Sequence, residues 1–397
     1  MFWFNRMTEH WVVPQRLDLV DHVRRAGLQV VQTGTFGPQF YGLADDPEVE
    51  RQWAGMPLVG VRANLEYMAE LIPRLQEAGA RVVGQMSMSW HYGDHEEGKG
   101  LFGVWERIWK DELPGPAPCD DPALAQQRME GGALRHWPIE GRPYRTYSGC
   151  MCNPHWLATL KAMLARAIEL GVDGINVHHN FEHLCACAYC REYLGRWLGE
   201  RFANGELNAL FGTADLTELE AITPQAGCPP ELKQRFELEV QRAAQHRRKE
   251  AFDEVFVEYG CSLKPDLLLA QWYHKYNFRP HDERSLLTAD LWARDEDFIW
   301  YSQGAHKGMS ALHHGYLADM GLLARFIYAA GGGRPFVVNK YDYRRWRLSI
   351  SPSPRPRPTM ARPWPSTGTK TATGIFPLRT TAGRSSGTSA SQPNTKD

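Results

Sequence analysis

The run Gly171-Val172-Asp173-Gly174-Ile175-Asn176-Val177-His178-His179-Asn180-Phe181-Glu182, entered from an amphipathic segment spanning Trp156 to Leu170, decides the fold. A helix runs into a glycine and a short β-rich segment begins at once. Glycine at such a junction supplies the left-handed cap that ends a helix. Strand alternation sends Ile175 and Val177 to one face and Asn176, His178 and Asn180 to the other. The apolar face suits covering helices. The polar face needs hydrogen-bond partners or a polar ligand.

The same grammar occurs upstream. Leu17 to Arg25 leads through Ala26-Gly27 into Leu28 to Gln32, and Leu65 to Glu77 leads through Ala78-Gly79-Ala80 into Arg81 to Met86. Downstream, a long helical stretch from about Glu231 to Tyr259 precedes Leu267 to Trp272. Asp297 to Tyr301 reads as a further strand, and a helix from about Tyr316 to Ala329 passes through Gly331-Gly332-Gly333 to Pro335 to Asn339. Strands alternating with helices imply parallel pairing through right-handed crossovers. Six such strands over this length suit a closed α/β barrel, the (β/α)8 TIM type, better than an open doubly wound sheet. The barrel domain is expected over residues 1–350, with inserts at Tyr92 to Ser148 and Ala203 to Pro230. From Ser351 onward Ser, Thr, Pro, Arg and Gly dominate, and the one acidic residue is Asp397. Residues 351–397 therefore read as a disordered basic tail, or as the product of a frame shift or truncation that leaves the barrel incomplete at its C-terminal end.

Composition bounds the partners. The chain has 397 residues, 43% apolar and 23% charged, with a formal net charge of −1. That balance gives no electrostatic reason to expect nucleic acid or an anionic membrane. Met1 to Pro14 is interrupted by Arg6, Glu9 and His10, which makes a poor signal peptide, and no stretch approaches a membrane span. A cytoplasmic protein is the expectation, and a homo-oligomer stays open.

Of eight cysteines, five fall in two tight groups, Cys150/Cys152 and Cys185/Cys187/Cys190. Cys185-Ala186-Cys187-Ala188-Tyr189-Cys190 sets three thiols around one point where a loop enters a helix. A structural zinc site closes with four such ligands. Cys150 or Cys152 is the natural fourth, with His183 as a substitute; the alternative is three buried free thiols.

Gly-Val-Asp-Gly-Ile, a polar turn, then Cys-x-Cys-x-x-Cys and an aromatic-rich helix resembles the fourth-strand region of family 42 β-galactosidases and their uncharacterised barrel relatives. The resemblance covers Cys150 to Phe202, and the barrel rhythm of residues 15–345 more loosely. It implies a glycoside hydrolase, with the three cysteines and one upstream cysteine on zinc. It also implies an Asn-Glu pair at this strand end, the Glu being general acid/base. Here Asn180 is followed by Phe181, with Glu182 one place later, and a shift of one flips a strand residue's face. Glu182 is the candidate acid. Asp342, after the strand ending at Asn339, is the candidate nucleophile that retaining hydrolysis places about 5 Å away. Asp94 is a spare carboxylate.

Sugar-binding candidates are Trp90, His91, His178, Asn180, Gln271, Trp272 and Gln303, with Trp300 and His274 nearby. Aromatic faces stack on sugar rings, and amides and imidazoles take hydroxyls. The functional expectation is carbohydrate hydrolysis by two carboxylates. The alternatives are a barrel that binds glycans without cleaving them and a metal-dependent hydrolase using His91, His95, His178, His179 or His183.

Overall fold

The structure, a computed structural model, describes residues 4, 6–10, 18–45, 57–138, 144–178, 184–274, 295–304, 328–329, 332–341 and 369–370. In chain order its strands are β1 (Met7–His10), β2 (Val30–Thr35), β3 (Arg81–Ser87), β4 (Trp90–Asp94), β5 (Lys99–Gly100), β6 (His136–Pro138), β7 (Arg145–Ser148), β8 (Gly174–His178), β9 (Leu268–His274), β10 (Phe298–Gly304), β11 (Phe336–Tyr341) and β12 (Thr369–Lys370). The helices used below are α1 (Leu19–Ala26), α2 (Pro38–Leu43), α3 (Val61–Glu77), α4 (Leu101–Asp111), α5 (Pro154–Glu169), α6 (Ala188–Gly199), α7 (Asn204–Phe211) and α8 (Pro230–Phe252).

The main sheet runs β11-β10-β9-β8-β3-β2-β1-β12. Every pair from β1 to β11 in it is parallel. Each strand therefore lies beside the one that precedes it among the parallel set, and the chain winds in one direction. A doubly wound sheet reverses its order at a switch point; this one does not. One-way winding is that of a (β/α) barrel. Seven strands of that winding are described, and among the described residues β11 and β1 do not pair to close it. At the β1 edge, Glu9 and His10 instead pair antiparallel with Lys370 and Thr369, in the stretch expected to lack order.

Local sequence explains the elements. Asp18 caps α1, its Oδ1 accepting from Val20 N at 3.1 Å and Asp21 N at 3.2 Å. The expected glycines follow α1, α3 and α5 with positive φ: 59° at Gly27, 100° at Gly79 and 96° at Gly171. On α3, Val61, Leu65, Met68, Ile72 and Leu75 form a buried stripe at helical spacing. β1 had no such signature, because Met7 is its one apolar residue.

The sheet's two faces differ as the alternation requires. Val31, Val82, Ile175, Val177 and Leu269 pack outward in one large core with the helices. Met7, Val30, Val83, Ala270, Phe298 and Val337 pack inward with Phe4 as a separate apolar plug. Below the plug, at the strands' N-terminal ends, one latch is used twice. Asp173 N donates to Val82 O, and the Asp173 carboxylate accepts from Val82 N, both at 2.8 Å. Asp297 N donates to Leu269 O at 2.8 Å, and its carboxylate accepts from Leu269 N at 3.0 Å. Asp173 also accepts from Gln76 Nε2 at 2.9 Å and Arg81 Nη1 at 2.8 Å, tying α3 and β3 to the start of β8.

Both inserts are folded. The first forms an antiparallel sheet, β5-β4-β7-β6, with α4 packed against it. The second carries α7, whose Leu207 and Leu210 join Leu194, Trp197 and Leu198 of α6 and Phe236 of α8 in a satellite core. Among the described residues no helix is long and apolar enough to cross a membrane.

Candidate functional site

Four cysteines, one shortly after β7 and three at the entry to α6, converge. The Sγ atoms of Cys150, Cys185, Cys187 and Cys190 all lie within 4.8 Å of one another. Cys150 stands 3.6 Å from Cys187, 3.4 Å from Cys190 and 3.8 Å from Cys185, and Cys185 is 3.6 Å from Cys190. Four sulfurs at about 2.3 Å from a central zinc form a tetrahedron with edges of about 3.8 Å. A disulfide needs about 2.05 Å, so this is the spacing of ligands and not of a bridge. Of the two upstream candidates the structure brings in Cys150; Cys152, half-buried, stands beside the group. His183 lies outside the described residues.

The surroundings hold the thiols in place. Gly149 precedes Cys150 against Trp156, where a Cβ would fall 1.9 Å from the ring. Only glycine allows this approach. Trp156 is fully buried and its Nε1 donates to Met88 O at 2.7 Å. Cys150 N donates to Ala125 O at 2.9 Å, and Asn153 caps α5 while its Nδ2 donates to Leu124 O at 2.8 Å. Ala186 N donates to Arg128 O at 2.9 Å, and Arg191 Nη1 to Ala186 O at 2.7 Å. Cys187 caps α6, its Sγ accepting from Cys190 N at 3.4 Å. A helix N-terminus favours thiolate there. Hydrogen bonding with Cys150 lowers the Cys190 thiol to about 5 and Cys185 to about 7, while the Cys150 thiol is raised by its neighbours. Four cysteine sulfurs at this mutual spacing are a donor set suited to a thiophilic cation.

The second feature lies above the apolar plug, at the strands' C-terminal ends. β8 turns Asn176 and His178 to the inner face as alternation requires; both are buried. Register places Gln85 beside Asn176, Ser87 beside His178, and Glu9 beside Gln32. Gln39, on α2, links the row to the backbone: its Oε1 accepts from Ser87 N at 3.0 Å, and its Nε2 lies 3.0 Å from His178 Nε2. An amide whose oxygen is already taken meets the ring with its N–H, so His178 Nε2 accepts and the imidazole proton sits on Nδ1.

The other expected sugar-binding residues are placed as follows. Trp90 opens β4, half-buried, with its N–H on Ser87 Oγ at 2.8 Å. His91 is a core residue of the insert. Its Nε2 meets Gln126 Oε1 at 2.7 Å, it stacks on Tyr147, and burial pushes its pKa down to about 4. Gln271 falls on the helix-facing side with Leu269 and bonds Glu296 through both its backbone N–H and its Nε2. Its place in the alternation, one step from Ala270, keeps it out of the inner row. Trp272 pairs in register with Trp300, and Gln303 with Lys340. Asp94 caps the turn after β4, accepting from Glu96 N and Glu97 N. Asn180, Glu182 and Asp342 lie outside the described residues. Among the described residues only the four cysteines gather as a metal-ligand group.

Sequence reasoning missed Glu9, Gln32, Gln39 and Gln85. A signal for two of them exists: one amide interrupts an otherwise apolar run in Val30-Val31-Gln32 and Val82-Val83-Gly84-Gln85, as Asn176 does in β8.

No family model matches the chain, and no curated protein matches it. Among solved structures it is similar to a Paenibacillus cycloisomaltooligosaccharide glucanotransferase, at 10% identity and TM-score 0.48 over 87% of this chain. The chain spans 40% of the length of that protein. It is similar to the catalytic domain of a Paenibacillus polymyxa β-amylase, at 10% identity and TM-score 0.47, over 84% of this chain and 85% of the other. It is also similar to an old yellow enzyme homologue from Zymomonas mobilis, at 16% identity and TM-score 0.40, over 85% of this chain and 78% of the other.

Proposed function

We propose that the chain is a glycoside hydrolase of barrel type, with Glu182 as general acid/base, Asp342 as nucleophile and a structural zinc on Cys150, Cys185, Cys187 and Cys190. One observation carries this reading: a row of buried polar side chains, Glu9, Gln32, Gln85, Asn176 and His178, caps an apolar plug at the C-terminal ends of one-way-wound parallel strands. That end is where barrel enzymes carry their chemistry, and amides with a neutral imidazole are groups that orient hydroxyls. Glu182 and Asp342 follow the ends of β8 and β11 closely in sequence. The finer likeness, to family 42 β-galactosidases, makes an aryl β-galactoside the first substrate to try. The zinc would join Cys150, after β7, to Cys185 and to Cys187 and Cys190 at the start of α6, and Cys185 follows Glu182 by three places in sequence.

A panel of aryl glycosides tests the reaction. Turnover by the wild type that falls about 10³-fold in both Glu182→Gln and Asp342→Asn supports it. Turnover that both variants retain refutes the residue roles. Sugar binding without turnover across the panel favours the non-catalytic glycan-binding barrel, which the displaced Asn180/Glu182 pair also favours. Elemental analysis of the purified protein tests the metal: one zinc per chain is expected, and none in Cys150→Ser.

A further inference from the structure

Glu9 is completely buried on the inner face of β1. Gln32 Nε2 reaches its Oε1 at 3.5 Å, and Gln32 Oε1 accepts from Asn176 Nδ2 at 2.8 Å. A carboxylate only accepts, whereas an amide has one donating and one accepting end. Glu9 therefore dictates the direction of the relay. Gln32 must turn its NH2 toward Glu9 and its oxygen toward Asn176. Asn176 must turn its NH2 toward Gln32 and its oxygen away. The relay thus ends on an acceptor. Asn176 Oδ1 is buried and, among the described residues, takes no hydrogen bond, and neither does Gln85 Oε1 on its register partner. Asn176 is 0% and Gln85 2% exposed. Two buried amide oxygens on register-paired residues, without donors among the described residues, run against the general rule that buried polar groups are paired.

We propose that Glu9, acting through Gln32, is a positioning residue that holds Asn176 Oδ1 as an acceptor seat, beside that of its register partner Gln85, for two adjacent hydroxyls of a sugar ligand. The class of ligand rests on the glycoside reading above; the direction of the relay does not. Donor groups complete both oxygens, so a diol is accepted there and an analogue lacking one hydroxyl leaves a buried acceptor unpaired. His178, with its proton on Nδ1, adds a donor of opposite sense on the same face.

The test is titration calorimetry with the methyl glycosides of galactose, glucose, mannose and xylose and their monodeoxy counterparts, on the full chain. At least one parent glycoside is expected to bind the wild type about tenfold or more tightly than one of its deoxy forms. In Gln85→Met, near-isosteric and without the acceptor, that preference falls to about one while the unfolding midpoint without sugar holds or rises. In Glu9→Gln the relay is free to invert, and the preference falls likewise. The proposal is overturned if both variants keep the wild-type preference. It is also overturned if no glycoside binds the wild type, or if Gln85→Met lowers the midpoint and leaves binding untouched, as a water seat would. Turnover is not part of this readout. Loss of the hydrolase reading with retained hydroxyl discrimination leaves the seats standing, and hydrolysis without discrimination removes the seats alone.

Discussion

The two ends of the parallel sheet treat polar groups in opposite ways. At the N-terminal end, Asp173 satisfies Val82 N, Gln76 and Arg81, and Asp297 satisfies Leu269 N; these carboxylates close bonds between neighbouring strands. At the C-terminal end, buried amides form a relay whose last oxygen, with that of Gln85, accepts no hydrogen bond among the described residues. An apolar plug separates the two. One end is arranged for stability. The other holds hydrogen-bonding capacity in reserve, the form that ligand binding takes when a site is built before its ligand arrives.

Removing the cysteine centre should have the largest effect. Its four thiols join the segment after β7 to the start of α6, and a structural zinc contributes roughly 10 kcal/mol in small domains. Cys190→Ala is expected to abolish metal binding and strip amide protection from Arg145–Ser148 and Ala188–Gly199. Hydrogen exchange should meanwhile show the Asp173 latch intact. Loss of protection at both ends alike would mean that the centre does not act locally.

Next comes the latch itself. Asp173→Ala leaves Val82 N buried and unpaired and should cost about 3 kcal/mol of unfolding free energy. The Arg81 contribution is small, because that guanidinium is half-exposed. Asp297→Ala likewise leaves Leu269 N without its carboxylate acceptor and should cost about 1–3 kcal/mol. No loss in either variant would show that the latches contribute little to stability.

His91 gives a comparable effect within a defined pH window. Its folded pKa, about 4, lies below the ordinary 6.5 because burial opposes the charged form. The unfolded chain therefore binds the extra proton first. The stabilisation is complete above pH 6.5 and is lost as pH falls toward 4, up to about 3 kcal/mol. Unfolding midpoints measured between pH 4 and 7 should flatten in His91→Gln, and an unchanged slope would assign the acid sensitivity elsewhere.

Much of this was legible in the sequence. The helix-glycine-strand units gave β2, β3 and β8, because a helical stripe, a left-handed cap and a β-branched run mark one boundary together. The Cys-x-Cys-x-x-Cys spacing pointed to the cluster of four cysteine sulfurs, since thiols one turn apart need little tertiary context to meet. β1 was hidden because Met7-Thr8-Glu9-His10 satisfies its backbone in the sheet while burying a carboxylate, against every compositional rule for a strand. Gln271 shows the complementary limit. Its run, Leu268-Leu269-Ala270-Gln271, looks like those of Gln32 and Gln85, and a shift of one step in the alternation decides which face it takes. His91 read as a sugar ligand because the insert's strands were not recognised, and with them the aromatic cluster that encloses it.

The opposition between the two ends is tested most directly by urea denaturation of Gln85→Met beside Asp173→Ala. Gln85→Met should unfold at or above the wild-type midpoint, since it removes an acceptor without a donor, while Asp173→Ala loses about 3 kcal/mol. A loss in Gln85→Met as large as that in Asp173→Ala would contradict the division, by showing that the amides of the upper end are as fully engaged as the carboxylates of the lower.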